Sequence, residues 1–155
     1  MRATFPLAVS ALLALTACDD EKDPQDLIVG TWQCQSTFDQ ERWTSRIEYR
    51  ADGTYLELET FEYPERADER IDIRDEGTWF FAGKTLIEKP QKFAITSFTK
   101  GNQDLPTDQV PQDFKDYVAF AEDMPFGVKI EELTERVFNT ADYETGFRTT
   151  CLKIE

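Results

Sequence analysis

The chain has 155 residues and a formal net charge of −14, with 31 acidic against 17 basic residues. This acidity argues against nucleic acid as a partner, because a negative field repels the phosphate backbone. The sequence contains no histidine, which removes Ser-His-Asp chemistry, the usual general base and the commonest metal ligand. We therefore expect neither an enzyme nor a bound cofactor.

The N-terminal segment carries one basic residue, Arg2, and then an apolar run over residues 5–15. A bilayer-spanning helix needs about 20 residues, so this run is too short to cross a membrane but suits a secretory signal. It ends in Leu15-Thr16-Ala17-Cys18, which resembles the lipobox of bacterial lipoproteins. The resemblance implies that residues 1–17 are a signal peptide and that Cys18 carries lipid as the first mature residue. The alternative is a buried N-terminal helix.

Residues 18–26 are polar, acidic and interrupted by Pro24, a composition that favours a flexible tether. Asp19 follows Cys18 directly and resembles the signal that retains enteric lipoproteins at the inner membrane, with the outer membrane as the alternative. We expect a protein held at a bacterial envelope membrane through lipid alone and facing the periplasm. Its folded domain then covers residues 27–155.

Two further cysteines, Cys34 and Cys151, lie near the two ends of that domain. An exported protein meets an oxidising compartment, so we predict a disulfide between them. Such a bond would make the first and last strands neighbours, which is the condition for a closed barrel. Two buried free thiols are the alternative.

The remaining chain predicts about eight short strands separated by turns. Apolar residues alternate along the predicted strands with a period of two, so that one face points inward. Asp52-Gly53 is a strong hairpin signal, and Gly77 marks a bend within a long strand. The inward face includes Trp43, Ile47, Tyr49, Tyr55, Trp79 and Phe81.

One helix interrupts the strands before the C-terminal ones. It begins near Pro111, and Phe114, Tyr117, Val118 and Ala121 follow at helical spacing. Residues 101–110 are predicted to form a long loop ahead of it. The helix could cap the open end of a barrel or pack on its outer wall, and we favour the wall because an apolar helical face usually finds a core.

The first strand resembles a known family. Gly30-Thr31-Trp32 looks like the Gly-x-Trp signature of lipocalins, and residues 49–55 are similar to the first hairpin of the wider lipocalin-like group. The resemblance implies a small antiparallel up-and-down β-barrel in which Trp32 closes one end and Arg148 packs over it. Thr140-Ala141-Asp142-Tyr143 departs from the lipocalin Thr-Asp-Tyr run.

Two functions follow from this fold. In the first, the six inward residues given above line a site for a small hydrophobic or amphiphilic ligand. In the second, the aromatic residues fill the barrel, and a solid scaffold presents its acidic surface to a protein partner in the envelope. The acidic residues Asp72, Asp75 and Glu76 lack the spacing of a calcium loop, so we expect no metal there.

Overall fold

A computed structural model describes residues 22–38, 41–63, 65–122, 124–142 and 147–154. The predictions for residues 1–21, which include the lipobox and Cys18, lie outside these residues. In the described ranges, no helix has the length and apolarity needed to cross a membrane.

Nine strands, two α-helices and one 3₁₀-helix make up the described part of the chain. In chain order they are α1 (Pro24–Ile28), β1 (Gly30–Phe38), β2 (Glu41–Tyr49), β3 (Thr54–Tyr63), β4 (Arg66–Ala82), β5 (Thr85–Lys100), β6 (Gln103–Leu105), the 3₁₀-helix (Thr107–Gln109), α2 (Gln112–Ala121), β7 (Phe126–Leu133), β8 (Val137–Asp142) and β9 (Arg148–Lys153).

Eight of the strands close into a barrel in which every pairing is antiparallel. Each barrel strand pairs with the next one along the chain, β5 pairs with β7, and β1 pairs with β9 to close the ring. Strand β6 is an extra short strand on β5. The predicted all-β up-and-down barrel with one helix before the C-terminal strands is confirmed.

The turn between β2 and β3 shows how local sequence sets the register. Gly53 has a φ of 80°, a left-handed conformation that glycine adopts at little cost. The Asp52 carboxylate accepts hydrogen bonds from the backbone N and the hydroxyl of Thr54, at 3.0 and 2.6 Å. The strands therefore leave the turn with Tyr49 opposite Tyr55.

One end of the barrel is filled by its own side chains. We call this set the Trp32 cluster, and its buried members are Ile28, Trp32, Cys34, Ile47, Tyr49, Tyr55, Trp79, Leu86, Phe138 and Cys151. Trp32 is fully buried, and its indole Nε1 donates to the carbonyl oxygen of Ile28 in α1 at 2.7 Å. Helix α1 thus packs on this end of the barrel. The predicted tether over residues 18–26 is wrong for residues 24–26, because Asp23 caps a helix that begins at Pro24.

The cation over Trp32 is Lys153, and the assignment of Arg148 to that role is wrong. Lys153 is the register partner of Trp32 on β9, its Nζ lies 5.0 Å from the ring centroid, and it donates to the carbonyl oxygens of Leu27 and Val29. Arg148 lies at the other end of β9, where its exposed side chain pairs with Glu131.

The disulfide between Cys34 and Cys151 is present, as predicted. The two residues are register partners on β1 and β9, and both side chains are buried in the Trp32 cluster. The bond therefore joins the first and last strands of the barrel where they meet.

The other end of the barrel extends along β4 and β5, which are almost twice as long as most other strands. Strand β5 pairs with β7 over Thr85–Glu88 and with β6 over Phe98–Lys100. In the described residues the part of β5 between these pairings has a strand partner on one side only, which is β4. Residues 101–110, predicted as a loop, in fact contain β6 and the 3₁₀-helix.

Helix α2 packs on the inward face of this extension. We call the buried residues here the Phe114 cluster, consisting of Phe61, Ile71, Ile73, Phe93, Phe98, Val110, Phe114 and Ala121. The Phe114 ring lies 5.3 Å from that of Phe61, and the Tyr117 ring lies 6.2 Å from that of Phe93. The predicted placement of the helix on the outer wall is therefore wrong. The apolar face of α2 covers inward residues of β4 and β5 where β5 has no second strand partner among the described residues.

Candidate functional site

A cavity of about 400 Å³ lies inside the barrel, between the Trp32 cluster and α2. Its lining comes from eight elements of the fold, namely β2, β3, β4, β5, α2, β7, β8 and β9, and from the segment just before β9. The lining residues are Trp43, Glu57, Glu59, Asp75, Glu88, Phe93, Tyr117, Phe126, Val128, Asp142, Phe147 and Thr149. Five of these are acidic, five are aromatic, and none of them is basic.

Strand alternation places the acidic side chains inside. On β3, Glu57 and Glu59 occupy the same face as the buried Tyr55 and Phe61, because side chains two apart point the same way. On β4, Asp75 shares the inward face with the buried Ile73. The sequence could have identified Glu57, Glu59 and Asp75 as inward residues. Each is an even number of positions from an aromatic residue of the same strand that we had placed inward.

Asp75 is the most deeply buried of these carboxylates, with 4% of its surface exposed. Its Oδ2 accepts a hydrogen bond from the Tyr55 hydroxyl at 2.6 Å. Its Oδ1 is buried and has no hydrogen-bond partner among the described residues. Burial raises the pKa of Asp75 to about 6, although the Tyr55 hydrogen bond opposes the shift.

Glu88 on β5 is held in a similar way. The Tyr49 hydroxyl donates to Oε1 of Glu88, which links the cavity to the Trp32 cluster. Burial raises the pKa of Glu88 to about 7, and the nearby Asp75 contributes in the same direction. The Tyr49 and Tyr55 hydroxyls themselves have raised pKa values, chiefly through burial, and therefore act as hydrogen-bond donors.

Glu57 and Glu59 extend the acidic wall along β3. Burial raises the pKa of both carboxyls above the ordinary range, and the negative charges around them add to the shift. Each therefore holds a proton more tightly than an exposed glutamate does. Asp142 on β8 completes the acidic set, on the opposite side of the cavity lining.

The aromatic part of the wall comes from β2, β5, β7, α2 and the segment just before β9. Trp43 stacks on Phe147 with ring centroids 4.2 Å apart and an angle of 27° between the planes. Tyr117 of α2 meets Phe93 edge to face. These rings give the cavity apolar surface beside its carboxylates, as an amphiphilic ligand would need.

The six residues predicted to line a ligand site do not stay together. Trp43 lines the cavity, whereas Ile47, Tyr49, Tyr55 and Trp79 belong to the filled Trp32 cluster. Phe81 packs against the edge of that cluster, beside a surface groove near α1. The pattern of alternation identified inward residues correctly but carried no information on which end of the barrel is filled.

Asp72 and Glu76, the neighbours of Asp75 in sequence, point to the outside of β4. Asp72 accepts hydrogen bonds from Thr60, Arg70 and Ser97, and Glu76 pairs with Arg74. The described residues contain no group of three or more acidic or cysteine side chains arranged to hold a metal ion.

Comparisons with known proteins give structural neighbours only. No protein-family model matches the chain, and no curated protein matches it in sequence. A lipocalin-like protein from Bacteroides uniformis is similar in structure, with a TM-score of 0.45, 13% identity, and coverage of 83% of this chain and 99% of that one. An uncharacterized protein from Bacteroides eggerthii has a TM-score of 0.44 and 13% identity, with coverage of 81% and 98%.

Proposed function

We propose that this protein binds a small amphiphilic molecule inside its barrel, without catalysis, while lipid on Cys18 holds it at a bacterial envelope membrane. The observation that supports binding most directly is the cavity of about 400 Å³. Sites for small molecules usually enclose about 300–1,000 Å³ and combine apolar walls with a few polar groups. This cavity has both features, since aromatic rings and carboxylates share its surface.

The envelope location rests on the sequence and is compatible with the fold. The lipobox resemblance implies acylation at Cys18, and several acyl chains anchor a protein stably. The first helix begins at Pro24, so the barrel would lie within a few residues of the membrane surface. The disulfide between Cys34 and Cys151 is of a kind that persists in an oxidising compartment such as the periplasm.

A solid scaffold is the second candidate, and the Trp32 cluster favours it for one half of the barrel. There the side chains leave the interior filled, and the acidic surface would serve an envelope partner. The other half of the barrel favours ligand binding, because its inward residues line an open cavity instead of packing against one another. We therefore place ligand binding first.

The experiment is mass spectrometry of small molecules that copurify with the full chain. The protein is expressed in a bacterium and extracted into polymer-bounded lipid discs, because detergent would compete for the cavity. Val128→Trp places an indole in the cavity, whereas Leu58→Trp places one on the exposed outer face of β3. We expect one enriched molecule with the wild type and Leu58→Trp, and its loss with Val128→Trp. The same background lipids in all three samples would contradict the proposal.

A further inference from the structure

We propose that the cavity is selective for an organic cation, namely a protonated amine or quaternary ammonium group carried on an apolar or aromatic body. This inference rests on the proposed function, because it specifies the ligand of the same cavity. It starts from a juxtaposition: five carboxylates and five aromatic rings face one space, and no lysine or arginine is among the described residues that line it.

Asp75 gives a second observation, which concerns its burial and hydrogen bonding rather than the number of acidic groups. Its side chain is almost fully buried, and one carboxylate oxygen has a donor in Tyr55 while the other, Oδ1, has none among the described residues. A buried acceptor without a donor costs free energy, and a charged one costs more. An ammonium group in the cavity beside Asp75 would supply the positive charge that this buried carboxylate lacks.

The neighbouring carboxylate of Glu57 makes a bound cation more favourable still. Glu57 is its register partner across the β3–β4 pair, and both side chains point into the cavity. Like charges at facing positions of an antiparallel pair destabilise the sheet. A neutral apolar ligand would leave the repulsion in place and would remove water from the carboxylates. A cation beside the Glu57 and Asp75 side chains would instead be attracted to both carboxylates and would offset their repulsion.

The protonation states of the carboxyls support the same conclusion. The raised pKa values of Asp75 and Glu88 mean that part of the acidic set holds protons near neutral pH when no cation is present. A bound cation favours the ionised forms, so it must displace protons as it binds. Proton release on binding is therefore a signature of the cation that a neutral ligand would not produce.

The aromatic wall indicates that the cation is organic. Trp43, stacked on Phe147, and Tyr117 present ring surfaces that stabilise ammonium groups and hold apolar chains. A bare metal ion would make no use of these rings, and the cavity volume of about 400 Å³ is that of a small molecule rather than of an ion.

Calorimetric titration of the full chain in discs of zwitterionic lipid tests the inference. The probes are phenylbutylamine, phenylbutanol and phenylbutyrate, which share an aromatic body and differ in charge. Empty discs correct for partition into lipid. We expect the amine to bind about tenfold or more tightly than the alcohol, since a hydrogen bond to a charged group is stronger than one between neutral groups. We expect the carboxylate to bind most weakly.

Two variants of β3 provide a matched comparison. Glu57→Gln removes a carboxylate from the cavity, whereas Glu62→Gln removes an exposed one from the outer face of the same strand. The preference for the amine should fall about tenfold in Glu57→Gln and stay unchanged in Glu62→Gln. Proton release by the wild type, measured in buffers of different ionisation enthalpy, needs no variant and should accompany the amine only.

The outcomes separate the two proposals. If amine and alcohol bind equally and without proton release, the cation inference is wrong while ligand binding stands. If none of the three probes binds, both proposals are wrong for ligands of this size. If the amine preference is the same in Glu57→Gln and Glu62→Gln, the cavity carboxylates are not its cause and the inference fails.

Discussion

Glu57 on β3 and Asp75 on β4 face each other as register partners inside the barrel, and both line the same cavity. Antiparallel strands usually avoid like charges at facing positions, and buried carboxylates are costly without a partner. This pair is therefore a local source of instability within a barrel that is well packed at its Trp32 end. The pair also gives the unliganded protein a distinctive response to pH.

The first prediction concerns the stability of the unliganded wild type. The pKa values of Asp75 and Glu88 in the fold, about 6 and about 7, exceed those of unfolded aspartate and glutamate. Between about pH 4 and pH 7 the folded state thus binds more protons, so the free energy of unfolding falls as pH rises. For surface glutamates such as Glu76, whose pKa is lowered by a hydrogen bond from Arg74, the free energy of unfolding rises with pH, but this contribution changes only below about pH 4.5. Urea unfolding at a series of pH values should show greater stability at pH 5 than at pH 8, and the reverse order would contradict the assignment.

The second prediction is that removing one cavity charge stabilises the protein at alkaline pH. Glu57→Gln keeps the shape of the side chain and removes its repulsion with Asp75. We expect the free energy of unfolding at about pH 8 to rise by about 1 kcal/mol or more. The change should be smaller at pH 5, because the raised pKa of Glu57 lets the folded wild type take up a proton there at little cost. Glu62→Gln, with the same charge change on an exposed position, should remain within about 0.5 kcal/mol of the wild type.

The barrel could be predicted from the sequence because its evidence is local and repetitive. Alternating residues, the Asp52-Gly53 turn and two cysteines at opposite ends of the domain each point to strands that close on themselves. The alternation and the turn depend on residues that are neighbours along the chain. The cysteine pair depends only on the tendency of two thiols to form a disulfide in an oxidising compartment. The inward face was accordingly identified correctly.

The site could be predicted only in part, since it depends on which inward residues meet across the barrel. Alternation assigns Tyr55 and Glu57 to the same face, yet one packs in the Trp32 cluster and the other lines the cavity. The difference arises from strand lengths. Among the described residues, β5 has strand partners on both sides only near its ends, so the barrel interior beside its middle part stays open until α2 covers it. Such lengths are set by tertiary pairing, which no single stretch of sequence reveals.

The third prediction tests the bend in β4. A Cβ added at Gly77 would lie 2.1 Å from the Lys89 carbonyl oxygen and 2.8 Å from Cε1 of Tyr55. The carbonyl belongs to the backbone of β5 and cannot rotate away, so the register shift at this position must be disturbed. We expect Gly77→Ala to lower the free energy of unfolding by at least about 2 kcal/mol. Gly127→Ala is the control, because its added Cβ would meet only the ends of the Ile87 and Thr85 side chains. Equal effects of the two substitutions would contradict the close approach.

The fourth prediction concerns the bond between Cys34 and Cys151, which closes a separation of 117 positions in sequence. Reduction leaves the side-chain volume almost unchanged and mainly frees the unfolded chain, so we expect a loss of about 2–5 kcal/mol. Urea unfolding with and without a reductant measures the loss. A variant with both cysteines replaced by alanine should show no response to the reductant. A wild type that is equally stable in both conditions would show that the bond does not constrain the unfolded state.

The fifth prediction compares two basic residues of β9. Lys153 lies over the Trp32 ring and donates to the carbonyl oxygens of Leu27 and Val29, so it ties α1 to the closed end of the barrel. Lys153→Met keeps an unbranched side chain and removes these contacts, which should cost about 2–3 kcal/mol. Arg148→Met removes an exposed ion pair with Glu131 and should change stability by less than about 1 kcal/mol. Hydrogen exchange adds a local readout, because the amides of residues 25–32 should lose protection in Lys153→Met and keep it in Arg148→Met. If the two variants lose stability and protection equally, Lys153 does not hold α1, and the packing of Ile28 on Trp32 together with the indole hydrogen bond to the Ile28 carbonyl holds it instead.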